Sequence, residues 1–173
     1  FAVPDYGLAG AAELPFYFVL SILAAFAGVG LVRLIMRTED LVDYLRLHPW
    51  LRPVLGGLAV GVIGLAFPDI LGRGYDQIES ILGGDVVAIP FLLSLAAAKA
   101  LAASISLAAW HPGGIFSPML MVGATVGAAF GQMSSNLFPA MDLHPGAFAL
   151  VGMAAVFSAA ARAPMSTILL VFE

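Results

Sequence analysis

The sequence predicts an all-α membrane protein that crosses the bilayer several times, and three observations support this fold class. Hydrophobic residues make up 61% of the 173 residues and charged residues only 10%, whereas a soluble domain carries about 25% charged residues. Several apolar runs approach the roughly 20 residues that a helix needs to span the hydrocarbon core. Glycine and proline interrupt these runs, so we expect a polytopic protein with broken and tilted helices of unequal length.

The first long apolar run extends from Leu14 to Met36 and is predicted to be a membrane span. It is followed by the most charged part of the chain, Arg37 to Arg52, which we expect to be a loop. The next apolar run, Pro53 to Phe67, has only about 15 residues, which is too short for a straight crossing. This part of the chain therefore predicts one full span and one shorter helix.

A polar, glycine-rich segment at residues 68–85 is expected to be a loop with a single short amphipathic turn of helix. The second long span follows, from Val86 to Trp110, and it contains Lys99. A charge inside a membrane span is a functional hypothesis by default. Two interpretations stay open: Lys99 raises the potential near a transport pathway, or its ammonium group snorkels to the membrane interface.

The remaining elements are two apolar runs joined by a turn at residues 138–146. The third long run begins at Phe116 and ends near Leu137, and the fourth extends from Ala147 to Glu173 with a break near residues 162–164. Glycines recur four residues apart along the third run, a pattern that lets helices approach closely. They are Gly123, Gly127 and Gly131. With no linker in the sequence, we expect residues 1–173 to form a single unit.

The most informative segment lies between the second and third long runs, at residues 113–118. Two glycines leave the backbone bare, and the proline suits the first turn of a new helix. The N–H groups of Ile115 and Phe116 would then lie unpaired at a positive helix end. In a membrane such groups are tolerated where they face a cavity, and an anion is their natural ligand. The segment consists of Gly113, Gly114, Ile115, Phe116, Ser117 and Pro118.

Magnitudes show that this segment cannot hold an anion alone. An uncompensated ion in a low-dielectric medium costs on the order of tens of kcal/mol. One helix end contributes about 0.3–2 kcal/mol, and each amide hydrogen bond to a charged group about 1.5–3 kcal/mol. Other donors must therefore converge on the site. From these residues alone, a plain interhelical turn punctuated by glycine and proline remains an equal alternative.

Four stretches of the sequence carry a resemblance to a known family. Gly113-Gly-Ile-Phe-Ser-Pro-Met-Leu, with the glycines that follow it, resembles the chloride-binding signature in the second half of the CLC family of chloride channels and proton/chloride antiporters. Pro145-Gly-Ala-Phe-Ala-Leu-Val-Gly-Met-Ala-Ala and Arg162-Ala-Pro-Met-Ser-Thr are similar to the family's next characteristic stretch, and Gly72-Arg-Gly-Tyr occurs in the familiar order. The similarity covers nearly all 173 residues.

The resemblance implies a partial CLC core: the second half of the transmembrane domain without its last helices. It implies that the Ile115 and Phe116 amides coordinate chloride, that Gly113 and Gly114 give the ion close access, and that Ser117 and Pro118 complete the supporting loop. In the family, a serine in Gly-Ser-Gly-Ile-Pro, a gating glutamate in Gly-Lys/Arg-Glu-Gly-Pro and a tyrosine near the last helix complete the site. None of these motifs occurs in this sequence, so channel and antiporter stay open.

The function that the resemblance implies is transport of chloride and similar small monovalent anions, by a homodimer in the lipid bilayer of the cell membrane. The alternative is a non-transporting structural fragment or a subunit of a membrane complex, because the chain looks truncated. We expect no enzyme, since the sequence contains neither His-Glu-x-x-His nor Gly-x-Ser-x-Gly. We likewise expect no cofactor, no metal and no nucleic-acid partner.

Overall fold

The computed structural model describes residues 13–84, 87–111, 113–139, 141 and 143–163. These residues form helices and contain no strand, which confirms the predicted all-α class. A single 3-10 turn at Pro68–Ile70 lies between α2 and α3. The α-helices in chain order are α1 Leu14–Tyr44, α2 Leu51–Ala66, α3 Tyr75–Leu82, α4 Ile89–Ala108, α5 Phe116–Leu137 and α6 Pro145–Ala161.

Helix α1 is longer than the sequence predicts. Its 31 residues correspond to about 46 Å at 1.5 Å per residue, whereas the hydrocarbon core is only about 30 Å thick. The prediction of a loop from Arg37 to Arg52 is wrong at both ends. α1 continues to Tyr44, and α2 begins at Leu51. The helical stretch from Arg37 to Tyr44 contains neither glycine nor proline, and Arg37, Glu39 and Leu41 are good helix formers, so the charges mark the end of the span rather than the end of the helix.

One stripe of α1 is buried and the opposite face is exposed. The stripe repeats every three or four residues, as expected for one face of a helix, and packs mainly against α6, α4 and α5. The opposite face exposes large apolar side chains, including Phe18 at 68% and Phe26 at 72%. Such a face suits lipid. The buried stripe consists of Leu20, Ala24, Gly28, Leu31 and Ile35.

The centre of the fold is the contact between α5 and α6, the most extensive helix pair among the described residues. Here the close helix approach predicted from Gly123, Gly127 and Gly131 is confirmed. A Cβ atom on Gly123 would lie 2.5 Å from Met153 Cα, and one on Gly131 would lie 2.9 Å from Pro145 Cα. No side chain fits at such distances, so the glycines let the two backbones touch.

Substituting Gly123 with alanine is expected to destabilise the full-length protein by about 1–3 kcal/mol, the usual cost of overpacking a tight core. The new methyl group would meet backbone atoms of Met153 and Gly152, which cannot rotate away. Thermal unfolding in detergent measures the effect. Gly61→Ala is the matched control, because Gly61 is also helical but a methyl group there would meet nothing within 4 Å. An unfolding temperature lowered equally by both substitutions would contradict the close packing.

The segment between α2 and α4 is more ordered than predicted. Instead of a loop with one helical turn, it contains the 3-10 turn and the eight residues of α3. α3 is amphipathic, and its apolar side chains Ile78, Ile81 and Leu82 are buried in the main core. This core is shared with α4, α5 and α6, so α3 gains its stability from tertiary packing rather than from its length.

Among the described residues, two helices, α1 and α4, are long and apolar enough to cross a membrane. Helices α2 and α6 are also apolar but shorter. α6 begins at Pro145, two residues before the predicted start, because proline is well suited to the first helical turn. It ends at Ala161, and Arg162 adopts a left-handed conformation with φ of 55°. This confirms the start of the predicted break, whereas residues 164–173 lie outside the described residues.

Candidate anion-binding site

The break between α4 and α5 places the predicted segment at the start of α5. α4 ends at Ala108, and Trp110 adopts a left-handed backbone conformation with a φ of 62°. The His111 N–H then donates to Ser106 O at 3.0 Å. α5 begins at Phe116 with Ile115 as its N-cap residue. The predicted start of the third run, Phe116, is thus confirmed.

The first amides of α5 have no carbonyl partner among the described residues. Neither Ile115 N nor Phe116 N donates a backbone hydrogen bond there, and the turn is closed by Met119 N–H donating to Ile115 O at 3.1 Å. Free N–H groups are expected at a helix start. No side chain caps this one, so the amides remain available to a ligand. That they coordinate an anion stays a prediction.

A cavity of about 560 Å³ lies beside this helix start. The segment contributes Gly113, Gly114, Ser117 and Pro118 to the cavity wall, whereas Ile115 and Phe116 are not among its lining residues. The Ile115 side chain is 43% exposed, and the Phe116 ring packs edge-on against Phe157 with centroids 5.2 Å apart. The structure therefore brings four of the six predicted residues to one cavity. Ile115 and Phe116 lie between these four in the sequence but do not line the cavity.

A second segment, residues 70–74, closes the cavity from the side of α2 and α3. Lys99 Nζ donates to Ile70 O at 2.7 Å and to Gly72 O at 2.9 Å. The Ser117 hydroxyl donates to Arg73 O, which joins this loop directly to the first turn of α5. Gly72 and Gly74 have positive φ angles of 69° and 71°, a conformation that glycine adopts without strain. We call residues 70–74 the tethered loop.

The position of Lys99 tests one of the two interpretations left open for it; its effect on a transport pathway stays a prediction. Its side chain is buried, with 4% exposure, and lines the cavity. The ammonium group binds interior carbonyls, so the snorkelling interpretation is wrong. No role was predicted for Arg73, which also lines the cavity. The available signal was an arginine placed between two glycines in an otherwise charge-poor chain.

A separate polar contact connects α1, α2 and the end of α4. Arg52 Nη1 donates to Asp43 Oδ1 at 2.6 Å, and its guanidinium carbon lies 4.6 Å from the Trp110 ring centroid. An arginine held between a carboxylate and an aromatic face is well oriented for both. This contact connects the residue two positions after the end of α4 to α1 and α2.

Comparison with known proteins shows which family the chain resembles. Residues 1–173 match the model of the voltage gated chloride channel family. Chloride channel protein CLC-f of Arabidopsis thaliana is 36% identical over 187 aligned residues, which cover 100% of this chain and 24% of CLC-f. The H(+)/Cl(-) exchange transporter ClcA of Klebsiella pneumoniae is 37% identical over 164 residues, covering 91% of this chain and 34% of ClcA. ClcA of Salmonella agona is 34% identical with the same coverage. The chain thus spans a quarter to a third of the length of these relatives.

Proposed function

Because the chain belongs to the voltage-gated chloride channel family, we propose that it forms part of a pathway that carries chloride and similar small monovalent anions across a membrane. The observation that carries this proposal is the start of α5: its first amides have no partner among the described residues, and Gly113, Gly114, Ser117 and Pro118 line a cavity of about 560 Å³ there. The activity is transport rather than catalysis.

The chemistry of the cavity wall favours an anion over a cation or a neutral solute. Backbone N–H groups at a helix start are hydrogen-bond donors with a partial positive charge. Among the described residues that line this cavity there is no aspartate or glutamate, while Arg73 and Lys99 are present. Partial charges of this kind bind an ion without trapping it, which transport requires.

The donors in this chain are too few for a complete binding site. Two amide hydrogen bonds and one helix end contribute about 3–8 kcal/mol, far below the cost of an uncompensated ion in a low-dielectric medium. The relatives are roughly three to four times longer than this chain. We propose that the remaining donors, a serine, a glutamate and a tyrosine, come from parts of the protein outside these residues.

Two further features belong to the proposal: a homodimeric assembly and a location in the cell membrane. The exposed apolar face of α1 and the exposed leucines of α2 offer surface for lipid and for a second subunit. Cross-linking in native membranes, followed by mass measurement, would detect the dimer. A monomer alone would contradict it.

Chloride efflux from liposomes tests the proposed transport. The full-length protein containing this chain, reconstituted in chloride-loaded vesicles, should release chloride when a potassium ionophore supplies the counter-current. Vesicles without protein give the background rate, and sulfate-loaded vesicles test the preference for small monovalent anions. Efflux at the background rate would contradict transport and would favour the alternative, a structural part of a membrane complex.

A further inference from the structure

We propose that Trp110 is a positioning residue for the candidate anion-binding site: its ring, held against Arg52, fixes the turn after α4 and with it the segment that leads to α5. The turn after α4 consists of residues 109–111, which directly follow the last residue of that helix. Trp110 is not among the described residues that line the cavity, so its ring acts on the ion only through the main chain. This role rests on the proposed function.

The turn after α4 has the hydrogen bonds of a Schellman motif. The Trp110 N–H donates to Leu107 O at 3.0 Å, and the next N–H, that of His111, donates to Ser106 O at the same distance. The residue at the position of Trp110 in this motif is left-handed and is usually glycine, because a Cβ atom is strained there. Trp110 adopts the conformation with a φ of 62°. A large ring therefore stands where glycine would fit without strain.

The contact with Arg52 explains what the ring does at this position. The guanidinium carbon of Arg52 lies 4.6 Å from the centroid of the Trp110 ring. Arg52 is itself oriented by Asp43, in the one ion pair within 4 Å that the described part of the chain contains. The Arg52 side chain is only 11% exposed, and a cation–π contact is stronger where the cation is shielded from water. The ring is thus held by α1 and α2, and this contact offsets the strain of the turn.

A close helix contact and two unpaired nitrogens occur at the same junction. A Cβ atom on Gly56 would lie 2.2 Å from Ala109 Cβ, so the glycine lets the start of α2 pack against the turn after α4. Arg52 Nε and His111 Nδ1 are buried there and have no hydrogen-bond partner among the described residues. Strained backbone clusters at functional sites, and buried polar atoms without a partner are rare in native proteins. Their coincidence at one turn indicates a role beyond stability.

The turn after α4 connects two parts of the cavity wall. Ser106 and Leu107, whose carbonyl oxygens accept the two hydrogen bonds of the turn, both line the cavity. The wall resumes after the turn at Gly113 and Gly114. Two glycines give this segment little stiffness of its own, so its course depends on how its ends are held. The Ser117 hydroxyl holds one end, and the turn after α4 holds the other.

The test compares chloride dependence with stability in the full-length protein. Trp110→Gly removes the ring and the strain together, so its unfolding temperature should stay within about 2–4 °C of the wild type. In liposomes its half-saturating chloride concentration should nevertheless rise about two- to fivefold, the equivalent of one cation–π contact, with the maximal rate unchanged. Trp110→Phe keeps an aromatic face and should retain most of the wild-type behaviour. Arg46→Gly is the matched control, because Arg46 is also left-handed, with a φ of 46°, but lies outside the cavity lining.

Arg52→Gln should give the same shift as Trp110→Gly, and the double variant no larger shift than either, because both substitutions remove one contact. Additive shifts, wild-type chloride dependence in Trp110→Gly, or an equal shift in Arg46→Gly would overturn the role. An unfolding temperature of Trp110→Gly far below that of Arg46→Gly would show that the ring serves stability, which also contradicts it.

A wild-type protein without chloride flux would instead defeat the proposed function. Hydrogen exchange then decides whether Trp110 positions the segment. The amides of residues 113–116 should exchange about two- to fivefold faster in Trp110→Gly and at the wild-type rate in Arg46→Gly. Equal exchange rates in the two variants would contradict the positioning role.

Discussion

Removing the N–H group of Phe116 is expected to weaken chloride binding to the full-length protein by roughly 10- to 100-fold. One hydrogen bond to a charged group is worth about 1.5–3 kcal/mol, and each 1.4 kcal/mol is about a factor of ten in affinity. Phe116→Pro removes this donor at the first position of α5, where the fixed φ of proline suits a helix. Calorimetric titration with chloride measures the loss.

Controls are needed because proline changes more than the amide. The Phe116 ring packs against Phe157, so Phe116→Leu, which keeps the N–H but removes the ring, should bind chloride as the wild type does. Proline also disfavours the helical conformation of the preceding residue, and Ile115 has φ of −79° and ψ of −11°. An ester in place of the Ile115–Phe116 amide removes the N–H without that strain. Unchanged affinity in the ester variant would contradict the proposed role of the amide.

The elements that local sequence patterns define were predicted well. The helix predicted from Phe116 to about Leu137 coincides with α5, because glycine and proline mark its start; that it crosses the membrane stays a prediction, since only α1 and α4 of the described helices are long and apolar enough. The end of α1 was not predicted. Charged residues at 37–44 suggested a loop, but a helix that leaves the membrane continues into water where no glycine or proline ends it.

The candidate site was only half predictable, for a physical reason. The start of a helix is determined by one contiguous segment of sequence. Residues 113–118 therefore predicted the free N–H groups at the start of α5 directly. The cavity beside α5 is instead a tertiary feature, in which Ser117 contacts a residue 44 positions earlier and Lys99 contacts carbonyls 27 and 29 positions earlier. No local pattern places Arg73 beside α5. Only the packing of α3 and α4 around α5 brings them together.

Replacing Lys99 with methionine is expected to free the tethered loop while changing the overall stability little. The substitution removes two charge-assisted hydrogen bonds, together worth about 3–6 kcal/mol. It also removes the desolvation penalty of a buried ammonium, which is on the order of several kcal/mol. These terms are of similar size and opposite sign, and methionine fills much of the same space. The loss of the two hydrogen bonds therefore loosens the tethered loop and does not destabilise the whole fold.

Hydrogen exchange measured by mass spectrometry on the full-length protein tests this expectation. In Lys99→Met, the amides of residues 71–74 should exchange at least about tenfold faster, and chloride flux should fall because the loop no longer borders the start of α5. Ser104→Ala is the matched control: Ser104 is fully buried on the same helix but bonds Ala100 O within α4. Faster exchange in both variants, or in neither, would show that Lys99 does not hold the loop. Faster exchange with unchanged flux would separate the loop from the transport pathway.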